Sequence, residues 1–155
     1  MITDLHHTAL FVSNLDKSLP FYVDKLGFEL VSRSDKWGGP FLGEVCGGLD
    51  DVKINVALLR AGGEIIELIE VLTPDEIPPD TSTRRVGLAR IGFEVDDIEA
   101  TVTEFKGRGI EFMSDIVTVT VDDTAHYSDG KAIKFQDPDG IILELQQPPV
   151  PGKIT

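Results

Sequence analysis

Two short apolar runs, one in each half of the chain, share an unusual polar position. Residues 141–145 (IILEL) follow the turn signal Asp137-Pro138-Asp139-Gly140 and predict a buried strand. Glu144 interrupts that strand, where a carboxylate needs an exposed edge, a cation or a metal. Residues 61–71 (AGGEIIELIEV) repeat the arrangement, with Glu67 as the interruption. Because Glu67 and Glu144 recur in the same context 77 positions apart, they indicate an internal repeat.

The helical periodicity of the first half also recurs, at an offset of 83 positions. In each half an apolar strand, predicted over Leu5–Val12 and Leu88–Val95, leads into residues spaced four and three apart, as in an amphipathic helix. These positions are Leu15, Leu19 and Tyr22 in the first half, followed by Leu26, and Ile98, Val102 and Phe105 in the second. Gly27 and Gly109 are then predicted to end the two helices.

Capping residues precede both helices. Asp96-Asp97 predicts the N-cap of the second helix, and the segment Ser13–Asp16 offers several N-caps for the first. Pro20 favours Asp16 as the first cap, because a proline in the first turn of a helix loses no hydrogen bond.

The remaining β-forming segments complete the same order in both halves. They are Phe28–Ser32, Val52–Leu59 and Glu64–Val71 in the first half, and Phe112–Val121, Ala132–Gln136 and Ile141–Gln146 in the second. Trp37-Gly38-Gly39-Pro40 predicts a loop, and the rest of residues 36–49 stays unassigned. Prolines and threonines predict a linker at 73–84, between a first module at 1–72 and a second at 85–155. We therefore predict an α+β fold of two tandem βαβββ modules that form a curved mixed sheet around a central cavity, with the helices outside.

Composition narrows the possible function classes. The 155 residues are 41% hydrophobic and 26% charged, which is typical of a globular chain. Their formal net charge of −13 argues against nucleic acids and anionic membranes as partners. The sequence shows neither an apolar run long enough to span a membrane nor a signal peptide. The single cysteine, Cys46, excludes an intrachain disulfide and favours a cytoplasmic location.

Strand alternation predicts four polar side chains at equivalent positions. The face of the first strand that carries Leu10 is the more apolar one, so it should pack under the helix, and His7 should lie on the opposite face. The same position in the second half, 83 residues later, is Arg90. Together with Glu67 and Glu144, these residues form a candidate site that pseudo-symmetry is expected to bring toward one point.

The chain resembles the vicinal oxygen chelate superfamily in four segments: HHTALFVSNLDKSLPFYVDKLGFEL, IIELIEV, ARIGFEVDDIEA and FQDPDGIILELQQP. This superfamily includes glyoxalase I, methylmalonyl-CoA epimerase, extradiol dioxygenases and the fosfomycin- and bleomycin-resistance proteins. The resemblance spans Leu5 to Pro148, and it lies in the order and spacing of the segments. The short two-module length and the DPDG-strand-Glu ending resemble the glyoxalase and epimerase branch most.

The resemblance implies a ligand set and a function. In that branch a divalent metal is held at positions that fall on His7, Glu67, Arg90 and Glu144. Arginine cannot ligate a cation, so the implied metal site has three ligands, His7, Glu67 and Glu144, for nickel, zinc, manganese, iron or cobalt. The implied activity is that of a lyase or isomerase acting on a small anionic substrate with vicinal oxygens through metal-stabilised enolate chemistry. Glu144, Glu67 and Arg90 would be catalytic, Arg90 would also bind the substrate, and the protein would be a homodimer.

A second hypothesis stays open. Arg90 can replace the metal by pairing with Glu67 and Glu144, and the chain would then be a metal-free small-molecule-binding protein of the drug-resistance or carrier type. Other candidate substrate contacts are Trp37, Phe41 and His126, with Tyr127 beside the last. His6 is a rival of His7, but strand parity predicts that it lies on the helix side as a structural residue.

Overall fold

The computed structural model describes residues 6–39, 52–73, 88, 90–118 and 130–148. The chain is an α+β protein that divides into two compact units, Met1–Pro79 and Asp80–Thr155. Each unit contains a strand, a helix and three further strands in that order, which confirms the predicted βαβββ repeat. None of the described helices is long and apolar enough to cross a membrane. The linker limits and the homodimer stay predictions.

The first unit is a four-stranded mixed sheet with one interrupted helix. Its elements are β1 (Thr8–Phe11), α1 (Leu15–Leu19), a π-helical continuation of α1 (Pro20–Lys25), β2 (Glu29–Gly38), β3 (Lys53–Ala61) and β4 (Glu64–Thr73). The strand order is β1-β4-β3-β2, in which β1 and β4 run parallel and the other neighbours antiparallel. Gly62, at a φ of 61°, makes the tight turn of the predicted β3–β4 hairpin.

The second unit has the same topology. Its elements are β5 (Ile91–Glu94), α2 (Ile98–Gly107), β6 (Val117–Thr118), β7 (Lys131–Gln136) and β8 (Ile142–Gln147), in the strand order β5-β8-β7-β6. The strand predicted at 112–121 is shorter than expected: Phe112 forms only an isolated bridge with Phe135, and residues 119–121 lie outside the described range.

The turn before β8 is built by its own side chains, as the sequence predicts. Asp137 is 5% exposed, and its Oδ1 accepts hydrogen bonds from the backbone N–H groups of Asp139 at 2.9 Å and Ile141 at 2.8 Å. Gly140 supplies a φ of 81°. This turn therefore fixes where β8 begins, and with it which face Glu144 occupies.

The two sheets repeat residue by residue. Ala9 lies opposite Glu67 in the β1–β4 pair, and Gly92 lies opposite Glu144 in the β5–β8 pair. The first strands thus correspond at an offset of 83 residues and the last strands at an offset of 77, as the sequence indicates. Glu67 and Glu144 consequently occupy equivalent positions on equivalent faces of their own sheets.

Alternation along β1 buries the face that the sequence predicts. Leu10 is 3% exposed and Val12 is fully buried, whereas Phe11 between them is 52% exposed.

In the second unit, buried Phe135 contacts the rings of Phe105 and Phe112 at centroid distances of 6.0 and 5.6 Å. Truncating such a buried phenylalanine typically costs about 3 kcal/mol or more, so Phe135→Ala is the single change expected to damage this core most.

The start of α1 differs from the prediction. Asn14, not Asp16, is the N-cap, and its side chain accepts a hydrogen bond from the backbone N–H of Lys17 at 3.0 Å. Pro20 therefore lies beyond the first turn, where it cannot donate to the carbonyl of Asp16. The helix widens at this residue into a π-helical turn, in which the N–H of Leu26 donates to the carbonyl of Phe21 at 3.1 Å.

The second helix starts and ends as predicted. Asp97 is the N-cap of α2, and its Oδ1 accepts a hydrogen bond from the backbone N–H of Ala100 at 2.9 Å. The predicted apolar positions are all buried: Ile98 is fully buried, Val102 is 6% exposed and Phe105 is 8% exposed. Gly109 follows the helix with a φ of 76°, the left-handed conformation typical of a helix stop.

Strand β2 continues well past the predicted end at Ser32, so the loop predicted at Trp37-Gly38 is wrong. The β2–β3 register shifts between Ser34 and Trp37, and Lys36 between them has a φ of 54°. Its backbone N–H donates to Asn55 Oδ1 at 2.9 Å. This bulge absorbs extra residues and lets Trp37 pair with Ile54.

Candidate functional site

The first unit brings His7 next to Glu67. His7 immediately precedes β1, and the parallel β1–β4 register places Ala9 opposite Glu67. The distance from His7 Nε2 to Glu67 Oε2 is 3.4 Å, and the two side chains are 40% and 21% exposed. The pair is thus accessible from solvent, and it offers one imidazole nitrogen and one carboxylate, both of which ligate divalent metals.

His6 contacts His7, which corrects the sequence prediction that His6 lies on the helix side. His6 is exposed, its Nδ1 lies 2.7 Å from His7 Nδ1, and the two rings meet edge to face. Strand β1 begins only at Thr8, so alternation does not govern the residues before it. One Nδ1–H donates a hydrogen bond to the other Nδ1, so His6 helps to orient the ring of His7.

The second unit pairs Arg90 with Glu144. Arg90 Nε donates to Glu144 Oε2 at 2.6 Å, and Gln146 Nε2 donates to the same oxygen at 3.0 Å. The Glu144 side chain is only 6% exposed, whereas that of Arg90 is 45% exposed. Because β8 lies between β5 and β7, Glu144 is not at a sheet edge. A buried carboxylate in a central strand requires such a partner.

Each unit also holds its helix through a residue that the sequence analysis missed. Glu70 Oε2 accepts a hydrogen bond from the backbone N–H of Leu15 at 3.2 Å, and Gln147 Oε1 accepts one from Ile98 at 2.9 Å. Glu70 and Gln147 stand 77 positions apart, so extending the repeat by one more polar position would have found them. They tie the first helical residue of each unit to the strand that carries the site glutamate.

The other predicted substrate contacts lie away from these two pairs in the sequence, and the structure describes only one of them. Trp37 lies in edge strand β2 and is 44% exposed. Phe41, His126 and Tyr127 lie outside the described residues, and so does Cys46. Within the described part of the chain, no group of three or more His, Cys, Asp or Glu side chains is placed to hold a metal ion. The structure therefore pairs His7 with Glu67 and Arg90 with Glu144, each pair within its own unit.

The fold and its repeat assign the chain to a class. Two βαβββ units with matching polar positions at the start of the first strand and the middle of the last are consistent with the vicinal oxygen chelate fold. The chain belongs to the glyoxalase/bleomycin resistance protein/dioxygenase superfamily, whose family profile matches residues 4–145. The resemblance seen in the sequence is thereby confirmed.

Two relatives align with most of the chain. YaeR of Escherichia coli (strain K12), an uncharacterized protein, is 30% identical over 151 residues, which cover 94% of this chain and 97% of YaeR. The mitochondrial methylmalonyl-CoA epimerase of Mus musculus is 29% identical over 150 residues, which cover 92% of this chain and 72% of the epimerase.

Two solved structures share the fold. A glyoxalase family protein from Bacillus cereus has a TM-score of 0.77 at 22% identity, covering 96% of this chain and 95% of its own. The fosfomycin resistance protein FosX from Listeria monocytogenes, in complex with Mn(II) and sulfate, has a TM-score of 0.61 at 18% identity, covering 99% and 96%. At these identities the likeness shows the fold alone.

Proposed function

We propose that the protein is a small-molecule lyase or isomerase of the glyoxalase and epimerase type, acting on a substrate with vicinal oxygens. The observation that carries this proposal is the pairing of His7 with Glu67 at 3.4 Å, at an accessible position beside the first strand. The family and the mouse epimerase, at 29% identity, support the reaction class. The substrate is a small molecule, since the net charge of −13 disfavours polyanions.

The donor set of the first unit fits a divalent metal. Two ligands that each lie about 2.1 Å from one ion stand about 3 Å apart, and His7 Nε2 and Glu67 Oε2 are 3.4 Å apart. His6 Nδ1 can accept a hydrogen bond from His7 Nδ1–H, the tautomer of His7 that leaves the Nε2 lone pair for the metal. We propose nickel, zinc, manganese, iron or cobalt as the ion.

A divalent ion held there supplies a Lewis acid for the two vicinal oxygens. The side chains of the protein supply the remaining chemistry. Glu67, 21% exposed, takes the proton next to the substrate carbonyl, and the electron pair of that C–H bond moves onto the carbonyl oxygen. Arg90 is the residue that we propose binds an oxygen of the substrate, because its guanidinium cannot lose its proton and is 45% exposed. Glu144 in turn holds the guanidinium in place.

Metal content tests this proposal. The purified wild type should contain about one divalent ion per chain, and His7→Ala and Glu67→Gln should each lose most of it together with the activity. Glu64→Gln is the matched control, because Glu64 lies at the exposed start of the same strand. A wild type that neither contains nor binds a divalent ion, or a Glu67→Gln variant with unchanged metal content, would overturn the metal-dependent proposal.

One observation favours a second candidate function. Glu144 is 5% exposed and is neutralised by Arg90, whose Nε lies 2.6 Å from its Oε2. On this alternative the protein binds a small molecule, without metal, in a drug-resistance or carrier role, and Arg90 replaces the metal. Arg90→His should then create a divalent site, so that added Mn²⁺, Ni²⁺ or Zn²⁺ raises the melting temperature of the variant but not of the wild type. If the wild type already gains stability from these ions, this alternative is excluded.

A further inference from the structure

Lys134 is a charged residue of the second sheet that the proposed function does not use. In the β7–β8 register it lies directly opposite Glu144. Opposed residues in an antiparallel pair share a face, with their Cβ atoms about 5 Å apart. Lys134 is partly buried, and none of the ion pairs formed among the described residues includes it. A partly buried ammonium without a carboxylate partner is a site where an anion gains affinity.

The carboxylate beside Lys134 is already engaged. Glu144 Oε2 accepts hydrogen bonds from Arg90 at 2.6 Å and from Gln146 at 3.0 Å. Arg90, Lys134 and Glu144 together leave one excess positive charge at this position. Among the described residues of this face, Glu94 is the other carboxylate, but it is exposed and lies opposite Gln146, further along β5. The local balance is therefore positive in a chain whose net charge is −13.

The same place also offers space. A Cβ added at Gly92 would meet only Glu144 Oε2 within 4 Å, at 3.9 Å, among the described residues. The first unit differs at both positions: Ala9 stands where Gly92 does, and apolar Leu58 lies opposite Glu67. An open glycine beside two cationic side chains is thus peculiar to the second sheet.

We propose that Arg90 and Lys134 form a subsite for a small oxyanion, a carboxylate or phosphate group of the substrate. This inference rests on the proposed function in taking the occupant to be part of the substrate, but the subsite lies wholly within the second unit. Arg90 offers N–H donors with a fixed geometry, and Lys134 adds a flexible point charge. Gly92 lets the anion approach the strand, and Glu144 keeps the guanidinium oriented.

The test is a titration of the full chain with anions, monitored by ¹⁵N–¹H NMR. EDTA is present throughout so that metal plays no part. Inorganic phosphate and malonate are the two probes, and they distinguish a phosphate from a carboxylate preference; sodium chloride at equal ionic strength is the blank. At least one probe should give saturable shifts that are largest at the Gly92 amide and the Arg90 Nε–H. Lys134→Met should weaken the binding about 10- to 100-fold, and Lys134→Arg should retain most of it.

Lys106→Met is the matched control, because Lys106 is an exposed lysine on α2 of the same unit. Its affinity should equal that of the wild type. The inference is overturned if neither probe gives saturable shifts at Gly92, or if Lys134→Met binds as tightly as the wild type. If Lys134→Met does not fold, two other measurements test the subsite. The wild-type shifts should be largest at Gly92, and Lys134→Arg should retain most of the affinity; the opposite result in either overturns the inference. Anion binding in a protein that never takes up metal would reject the metal-dependent function and leave this subsite standing.

Discussion

The two halves of the chain place different chemistry at the same backbone position. In the first, His7 and Glu67 are 3.4 Å apart and both are accessible, with 40% and 21% of their side chains exposed. In the second, Arg90 and Glu144 are 2.6 Å apart, and the carboxylate is almost wholly buried. The first pair is open to a metal ion from solvent. The second is a closed ion pair whose charge has to be balanced for the sheet to be stable.

This difference shows that the repeat conserves geometry more strictly than chemistry. The register that places Ala9 opposite Glu67 in the first unit recurs in the second, where Gly92 lies opposite Glu144. In each unit the helix is also bonded to the last strand, through Glu70 in the first and through Gln147, 77 positions later, in the second. Backbone pairing depends on the alternation of apolar residues, which both halves keep. The polar positions on the opposite face are free to diverge, and here they divide into a histidine–glutamate pair and a cation-rich pair.

The largest expected difference between the halves is in stability. Arg90→Met should lower the free energy of unfolding by about 2 kcal/mol, because the buried carboxylate of Glu144 loses its direct ion-pair partner, although Lys134 opposite it and solvent offset part of the loss. His7→Ala should cost less than about 1 kcal/mol, since that pair is exposed. Urea denaturation at neutral pH measures both.

A second substitution checks the cause of the Arg90 effect. Glu144→Gln in the Arg90→Met background removes the buried charge and should restore about half of the lost stability. Equal losses for Arg90→Met and His7→Ala, or no recovery in the double variant, would contradict the distinction between a closed and an open pair.

The hydrogen bonds that join each helix to its sheet should give a smaller difference in stability between the halves. Glu70 accepts from the Leu15 backbone and also from Asn55 Nδ2 at 2.8 Å, whereas Gln147 accepts from the Ile98 backbone. Glu70→Ala should therefore cost roughly 1.5 kcal/mol and Gln147→Ala roughly 1 kcal/mol. Thermal unfolding of the two variants measures the order. Glu70→Gln keeps an acceptor and should be nearly neutral; a loss as large as that of Glu70→Ala would show that the tie depends on the charge.

The smallest expected effect concerns Asp16 and Glu99, which stand 83 positions apart and occupy equivalent positions in the two helices. Asp16 pairs with Arg33 of β2 at 2.8 Å, and Glu99 pairs with Lys131 of β7. The hydrogen bond from Lys131 lowers the pKa of Glu99 below its ordinary value of 4.5. The contribution to stability is therefore present above that value and is lost as the pH falls through the lowered pKa of the folded state.

Glu99→Gln should accordingly lower the melting temperature slightly at neutral pH, and this difference should shrink as the pH is lowered below 4.5. Asp16→Asn should show a similarly small loss at neutral pH, since both pairs are solvent-exposed. A Glu99→Gln difference that persists unchanged at acidic pH would show that the Lys131 contact does not act through charge.

Most of the fold was predictable, because it depends on periodic apolar residues. The two offsets, the order of elements and the cap at Asp97 all follow from the sequence pattern and agree with the structure. The cap of the first helix was predicted wrongly, at Asp16. Glu70, 55 residues away, binds the N–H of Leu15 and fixes where the helix starts, so local sequence cannot choose between Asn14 and Asp16.

The role of the four candidate site residues stays a prediction, and their contacts were only partly predictable. Parity and the repeat identify His7, Glu67, Arg90 and Glu144, and the structure pairs them as described. His6 was misplaced because strand alternation does not extend to a residue before the strand begins. Lys134 went unnoticed because a lysine in a strand carries no signal until the β7–β8 register sets it opposite Glu144.

The central claim is that the first half of the chain, and not the second, supplies the metal ligands. Paramagnetic broadening of the ¹⁵N–¹H spectrum of the full chain during titration with Mn²⁺ tests it most directly. A bound paramagnetic ion broadens the signals of nearby amides before those of distant ones. If the first half supplies the His–Glu ligand pair, the amides of Thr8, Ala9 and Leu68 should broaden first, at about one equivalent of metal, and Glu67→Gln should abolish the effect. Broadening that begins elsewhere, or that survives Glu67→Gln unchanged, would contradict the account.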